Sequence, residues 1–132
     1  MAAVFTQAGA KRLGLPGRSS LEIVSGERGA AGVSLRLVEI APQIKGETQR
    51  GPHVHYGFEE VIHVLEGEGV TESDTGPHRL SQGDTILIPS NERHVTRNTG
   101  SGPLKLLCFF PTIEVRAGTR EFASWDEAGS AS

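Results

Sequence analysis

GPHVHYGFEEVIHVLEGEG at residues 51–69 and GDTILIPSNERHVTRN at residues 83–98 place His53, His55, Glu60 and His94 at a spacing suited to one metal ion inside a β-barrel. His53 and His55 stand two apart, so an extended strand sends both side chains to one face. YGFE separates them from Glu60; its Gly57 permits a turn, and Glu60 opens the apolar run VIHVL. His94 begins HVTRN, a separate β-like run that must fold back to reach the others. Imidazole nitrogens and carboxylate oxygens are the donors that Zn, Fe, Mn, Ni and Cu accept, and four such groups do not converge cheaply without a cation between them. Glu59 adjoins Glu60, but parity turns it away from the site.

Outward from these segments the chain reads as short β-branched and aliphatic runs punctuated by 17 glycines. The expected strands are LEIVS from Leu21, VSLRLVEI from Val33, HVHY from His53, EVIHVLE from Glu60, GVTES from Gly69, TILIP from Thr85, HVTRN from His94 and LKLLCFF from Leu104. APQIKGETQRGP, SDTGP, SQGD, PSNE and TGSGP read as turns, with His78 in the exposed turn TGPHR, and the closing DEAGSAS reads as a frayed tail. No stretch carries a sustained helical apolar period, so the fold class is all-β, a sandwich or barrel.

Strand parity assigns faces. With Glu60 inward, Ile62 and Val64 follow it, while Val61, His63 and Leu65 face out, which removes His63 from the ligand set. With His94 inward go Thr96 and Asn98, leaving Val95 and Arg97 outside; Leu104, Leu106, Cys108 and Phe110 line the barrel, with Lys105 outside. Asn98 reads as a residue that bonds backbone near its strand end, and Gly67, Gly83 and Asp84 as turn residues. Arg50, Glu39, Gln43 and Tyr56 are the polar residues nearest the motif that a substrate would meet.

At 132 residues the expectation is one domain, residues 1–132, with a motif core at 51–98 and flanking strands within 20–40 and 104–125. A net charge of −3 with scattered basic residues offers no footprint for nucleic acid. No apolar run is long enough to span a bilayer, and MAAVFTQAGAKRLGLPGRSS lacks the apolar centre of a signal peptide. A cytoplasmic location is expected. Cys108, the one cysteine, excludes an internal disulfide and reads as a small core residue.

The two quoted segments resemble the cupin superfamily. Its first motif is a glycine, five residues, HxH, three or four residues, Glu, six residues and Gly; His53, His55, Glu60 and Gly67 fall on it, although Gly46 comes one residue too early and Gly51 too late for the first glycine. Its second motif is matched by Gly83, Pro89, His94 and Asn98, with Asn91 standing where the family has a glycine. Asparagine is among the side chains that best tolerate the left-handed conformation expected there.

The resemblance implies a single-domain cupin jelly-roll β-barrel holding one divalent transition metal (Fe, Mn, Zn, Ni or Cu) through His53, His55, Glu60 and His94. On an octahedral ion two positions then remain for a small-molecule substrate. In similar cupins such a centre supports dioxygenase chemistry on chelating, oxygenated compounds, and this is the activity placed first. The same ligands supporting a Lewis-acid cyclase, lyase or isomerase come second, with Glu60 able to leave the ion and act as a base. A binding protein that stores or senses a ligand without turnover is the third reading. The family's habit of pairing barrels, and the outward Val61, Leu65, Leu107 and Phe109, imply a homodimer.

Overall fold

Alternation of apolar and polar residues is realised as two antiparallel sheets packed face to face in the computed structural model, which describes residues 1–130. β1 (Lys11–Leu13) and β2 (Ser19–Val24) form a hairpin against β3 (Ser34–Ile40). Beyond β3 lie β10 (Leu104–Phe110), β5 (Glu60–Glu66) and β8 (Thr85–Ile88), completing six strands in the order β1-β2-β3-β10-β5-β8. The second sheet joins β11 (Thr119–Glu121), β4 (His53–His55), β9 (His94–Asn98), β6 (Glu68–Ser73) and β7 (Gly76–Ser81) in that order. Strands far apart in sequence are neighbours, as in a jelly roll.

The core lies between the sheets and obeys the expected parity. Val38 and Ile40 from β3, Ile62 and Val64 from β5, and Leu104, Leu106, Cys108 and Phe110 from β10 are all buried in one cluster. Burying a side chain such as Leu106 contributes about 1.5–3 kcal/mol. Their strand neighbours Leu35, Leu37, Val61, His63, Leu107 and Phe109 lie on the other face.

Two polar residues hold the ends of this arrangement. Asn91 adopts φ 70°, the left-handed conformation expected where the family has glycine, and its backbone N–H donates to the carbonyl of His55 at 2.8 Å. That bond ties the turn before β9 to the end of β4. Asn98, 1% exposed, donates from Nδ2 to the carbonyls of Ile40 (2.9 Å) and Gly102 (2.7 Å) and accepts from Gly100 N–H at 2.8 Å. Gly67 is required sterically: at φ 89° a Cβ would stand 2.5 Å from the carbonyl oxygen of Pro103.

Two expectations are corrected, and a third residue behaves as expected but is covered. TGPHR is not simply an exposed turn, because Gly76–Ser81 forms β7, pairing Thr71 with His78; glycine and proline suggested a turn but are tolerated here, at a sheet edge. DEAGSAS is not frayed over residues 126–130, which belong to helix α1 (Trp125–Ser130), while Ala131 and Ser132 lie outside the described residues. Ser124 Oγ caps that helix by accepting from Glu127 N–H at 3.1 Å, and Ala128 packs with Val54 and Phe122. Val95 points away from the barrel yet is 0% exposed. The C-terminal segment is tied across that face by Arg93 Nη1 donating to the Ala128 carbonyl (2.8 Å) and Trp125 Nε1 donating to Glu72 (2.9 Å). Among the described residues no helix is long and apolar enough to cross a membrane.

Candidate metal centre

β4 and β9 pair with His53 opposite His94, and β5 faces them across the barrel with Glu60 at its first position. Their ligand atoms all lie within 4.8 Å of one another. His55 Nε2 and His94 Nε2 each approach Glu60 Oε1 to 3.1 Å. The four residues expected to form the site do come together.

Hydrogen bonding behind the rings determines which nitrogen faces the centre. His94 Nδ1 meets the carbonyl of Glu92 at 3.0 Å, and a carbonyl only accepts, so Nδ1 carries the hydrogen. Thr119 Oγ1 donates to the Val115 carbonyl at 2.5 Å and therefore accepts from His55 Nδ1 at 2.8 Å. Both rings, as neutral imidazoles, then turn the lone pair of Nε2 onto the same carboxylate oxygen. Acceptors facing acceptors at 3.1 Å repel, and a cation at the point of convergence removes the conflict. His53 Nδ1 is enclosed with no hydrogen-bond partner among the described residues. The donor set thus fits a metal ion.

Burial pushes the Glu60 carboxyl up; what holds it well below the usual carboxylate range is Nε2–H donation from His55 and His94, and where both Nε2 atoms offer lone pairs instead, a cation has to take over that role. Burial, followed by proximity to His94, holds His53 well below its ordinary value and therefore neutral. Cys108 is pushed well above the usual thiol range by burial and by Glu60 beside it, so it is no nucleophile and belongs to the wall.

The cluster opens into a cavity of about 490 Å³. Val38, Ile40, Leu106 and Phe110 give it an apolar side. A polar side comes from Arg18, Arg36, Arg50, Glu22, Glu121 and Ser20. Arg18 bonds Glu121 at 3.1 Å, and Arg36 bonds Glu22 at 3.1 Å with its guanidinium 5.2 Å from the Phe110 ring centre. Of the substrate contacts expected from sequence, Arg50 alone lines the cavity. Glu39 is exposed beside Lys105, Gln43 donates to the Asn98 carbonyl, and Tyr56 is 49% exposed. Ser20, Glu22 and Arg36 went unread, although the signal was there: Arg36 shares parity with Val38 and Ile40, a charge on the inward face. Thr119 and Glu121 lie on β11, three residues with no pattern of their own.

The model of the Cupin domain family matches residues 37–110, more than half of the chain. The chain belongs to the cupin family. An uncharacterized protein of Methanocaldococcus jannaschii is 38% identical over 77 residues, covering 58% of this chain. The match spans 60% of that protein's length. The polyketide cyclase RemF from Streptomyces resistomycificus superposes with a TM-score of 0.72 at 23% identity, over 99% of this cupin and 93% of its own chain. Pac13, a nucleoside dehydratase from Streptomyces, does so with a TM-score of 0.74 at 13% identity, over 97% of each chain. These likenesses establish the jelly-roll fold.

Proposed function

We propose that this cupin is a metal-dependent enzyme acting on a small oxygenated organic compound, with a Lewis-acid cyclase, lyase or isomerase reaction ahead of oxygenation. The observation that carries the reading is the convergence of two imidazole lone pairs and an ionised carboxylate beside the enclosed His53 Nδ1, at the wall of a 490 Å³ cavity. His53, His55, Glu60 and His94 would hold one divalent transition metal, which when bound supplies charge to polarise a substrate oxygen. Glu60, with Oε1 3.1 Å from both His55 Nε2 and His94 Nε2, is placed for ligation rather than for proton abstraction. Thr119 and the Glu92 carbonyl keep two imidazoles in the ligating tautomer, and the apolar wall excludes water from the substrate. Glu22, Glu27 and Glu121, each paired with a basic side chain, are the cavity's remaining carboxylates.

A preference for non-redox chemistry reverses the order expected from sequence. It is supported by the polyketide cyclase and nucleoside dehydratase that share this fold. The oxygenase reading stands second, carried by the two coordination positions that four protein ligands leave open. Elemental analysis of purified protein is the first test. The Zn or Mn form converting a polyketide or sugar substrate anaerobically supports the first reading. Oxygen uptake by the Fe(II) form with a β-diketone, catechol or flavonol, and no anaerobic turnover, replaces it with the second. Ligand binding with neither leaves a binding protein. A cytoplasmic location and a single cupin domain over residues 1–132 go with this reading.

Pairing of two copies through the outer face of the six-stranded sheet also belongs to it. Leu35, Phe109, Val61 and Leu87 form one row across four strands, with Leu37 and Leu107 beside it. Leu87 is 56% exposed, Leu65 43% and Phe109 37%. Light scattering at micromolar concentration is expected to give twice 14.1 kDa, and Leu87→Glu with Phe109→Glu to shift it towards the monomer. Wild-type protein giving only the monomer mass contradicts the pairing.

A further inference from the structure

Two buried donors on the cavity wall have nothing to donate to. Arg50 Nη1 and Ser20 Oγ are enclosed and have no hydrogen-bond partner among the described residues, and both residues line the cavity that holds the histidine cluster. Ser20 is 0% exposed. Buried polar groups are almost always paired, and a charged donor is the costliest kind to leave unpaired. Such a pair in a ligand cavity marks where a ligand's acceptors go.

Charge narrows the choice of ligand. Arg18 and Arg36 are each neutralised by a carboxylate, Glu121 and Glu22 respectively, at 3.1 Å. Among the described residues Arg50 has no such partner: its Nη2 donates to the backbone carbonyl of Thr96 at 3.1 Å. Burial and then Arg18 lower its pKa to about 10, Glu121 acting against them, with smaller effects from Arg97 in the lowering direction and Glu60 in the raising one; the guanidinium remains charged at neutral pH. Its position is built. Gly17, at φ 69°, lies against the arginine stem, where a Cβ would come within 3.2 Å of Arg50 Cδ. The bond to Thr96 anchors the head two residues from His94, and Arg50 itself precedes His53 by three.

We propose that Arg50 and Ser20 form an oxyanion subsite beside the metal centre, and that the substrate is a carboxylic acid whose apolar body lies against Val38, Ile40, Leu106 and Phe110. Arg50 Nη1 offers a charged donor to a carboxylate and Ser20 Oγ a further hydrogen bond to the ligand, and the apolar wall selects against a small, fully hydrated acid. This deepens the enzyme reading and rests on it for the word substrate, but the subsite donors are separate from the four ligand residues.

The test is calorimetric titration of metal-loaded protein with 2-naphthoate, 2-naphthyl phosphate and neutral 2-naphthol. Wild-type protein is expected to bind 2-naphthoate about 10-fold or more tighter than 2-naphthol. Arg50→Gln should weaken 2-naphthoate by about 10-fold or more and leave 2-naphthol unchanged, while Ser20→Ala should cost about 3-fold or more with the same selectivity. Metal content measured on the same samples should equal that of wild type. Repeating the titrations on chelator-treated protein separates the two ideas: a retained preference for 2-naphthoate upholds the subsite even where no metal is found. The proposal is overturned if wild-type protein binds neither compound, does not favour 2-naphthoate over 2-naphthol, or prefers the phosphate ester. It is overturned equally if Arg50→Gln leaves that preference intact. Should Arg50→Gln fail to fold, Ser20→Ala decides, and an unchanged preference there overturns it.

Discussion

His94→Ala is expected to leave the purified protein largely free of metal after dialysis against chelator, and to lower its melting temperature by roughly 10–20 °C relative to the loaded wild type. The ring places Nε2 3.1 Å from Glu60 Oε1, and in the proposed centre its loss removes a direct ligand. Removing a hydrogen-bond partner behind a ligand already costs about 10–100-fold in metal affinity, so losing the ligand itself costs more. An ion held at a thousand times its dissociation constant contributes about 4 kcal/mol to the folded state, which sets the temperature scale. Acid should act in the same direction. Folding holds the His53 imidazole well below its ordinary value of 6.5, so the unfolded chain binds a proton that the folded chain refuses. Stability is therefore full above about 6.5 and declines as pH falls from there towards the depressed folded value, while protons compete with the metal for the same nitrogens. Melting curves from pH 7.5 to 5 should show this decline, and His53→Ala should flatten it. Wild-type metal content in both alanine variants would remove the four residues from consideration as ligands.

The clustered residues were legible because a metal centre would constrain local spacing. His53 and His55 share a face by period 2, and β5, β9 and β10 begin and end at the residues where the alternating runs do. The inward parity of Ile62, Val64, Thr96, Leu106 and Cys108 followed from the same rule. What escaped depends on distant contacts. β1, β7 and β11 are edge or near-edge strands formed by pairing with a neighbour, and the sequences KRL, GPHRLS and TRE carry no alternation of their own. Val95 lies outside the barrel as parity required, but parity knows nothing of the C-terminal segment tied over it. The polar wall of the cavity is assembled from residues 18–22, 36, 50 and 119–121, brought together by tertiary folding. Arg50 was named from its place beside the motif, and Arg36, a charge at an inward position among aliphatics, also carried a local signal.

Asn98→Ala should destabilise the protein by about 3 kcal/mol or more without emptying the metal centre. Asn98 and His94 stand at opposite ends of β9, and the amide serves the end away from the cluster. Its Nδ2 holds the last carbonyl of β3 and the carbonyl of Gly102, and its Oδ1 holds the N–H of Gly100, so one side chain joins the two sheets to the turn before β10. Alanine leaves two acceptors and a donor without that partner in a site only 1% exposed. Each lost bond costs about 0.5–1.5 kcal/mol, and more where the abandoned group stays buried. Asn98→Asp discriminates this account from simple loss of volume, because it preserves the shape and the acceptor for Gly100 but turns a second oxygen onto two carbonyls. Asn98→Asp should therefore be at least as unstable as Asn98→Ala at neutral pH. Its carboxyl, raised by burial and by the facing carbonyls, should take up a proton on acidification and recover part of the loss. Denaturant melts of the three proteins at pH 7 and pH 5, with metal content measured alongside, provide the comparison. An Asp variant as stable as wild type at pH 7 would show that the Nδ2 bonds to Ile40 and Gly102 contribute nothing, and that the asparagine of the second motif is retained for its volume alone.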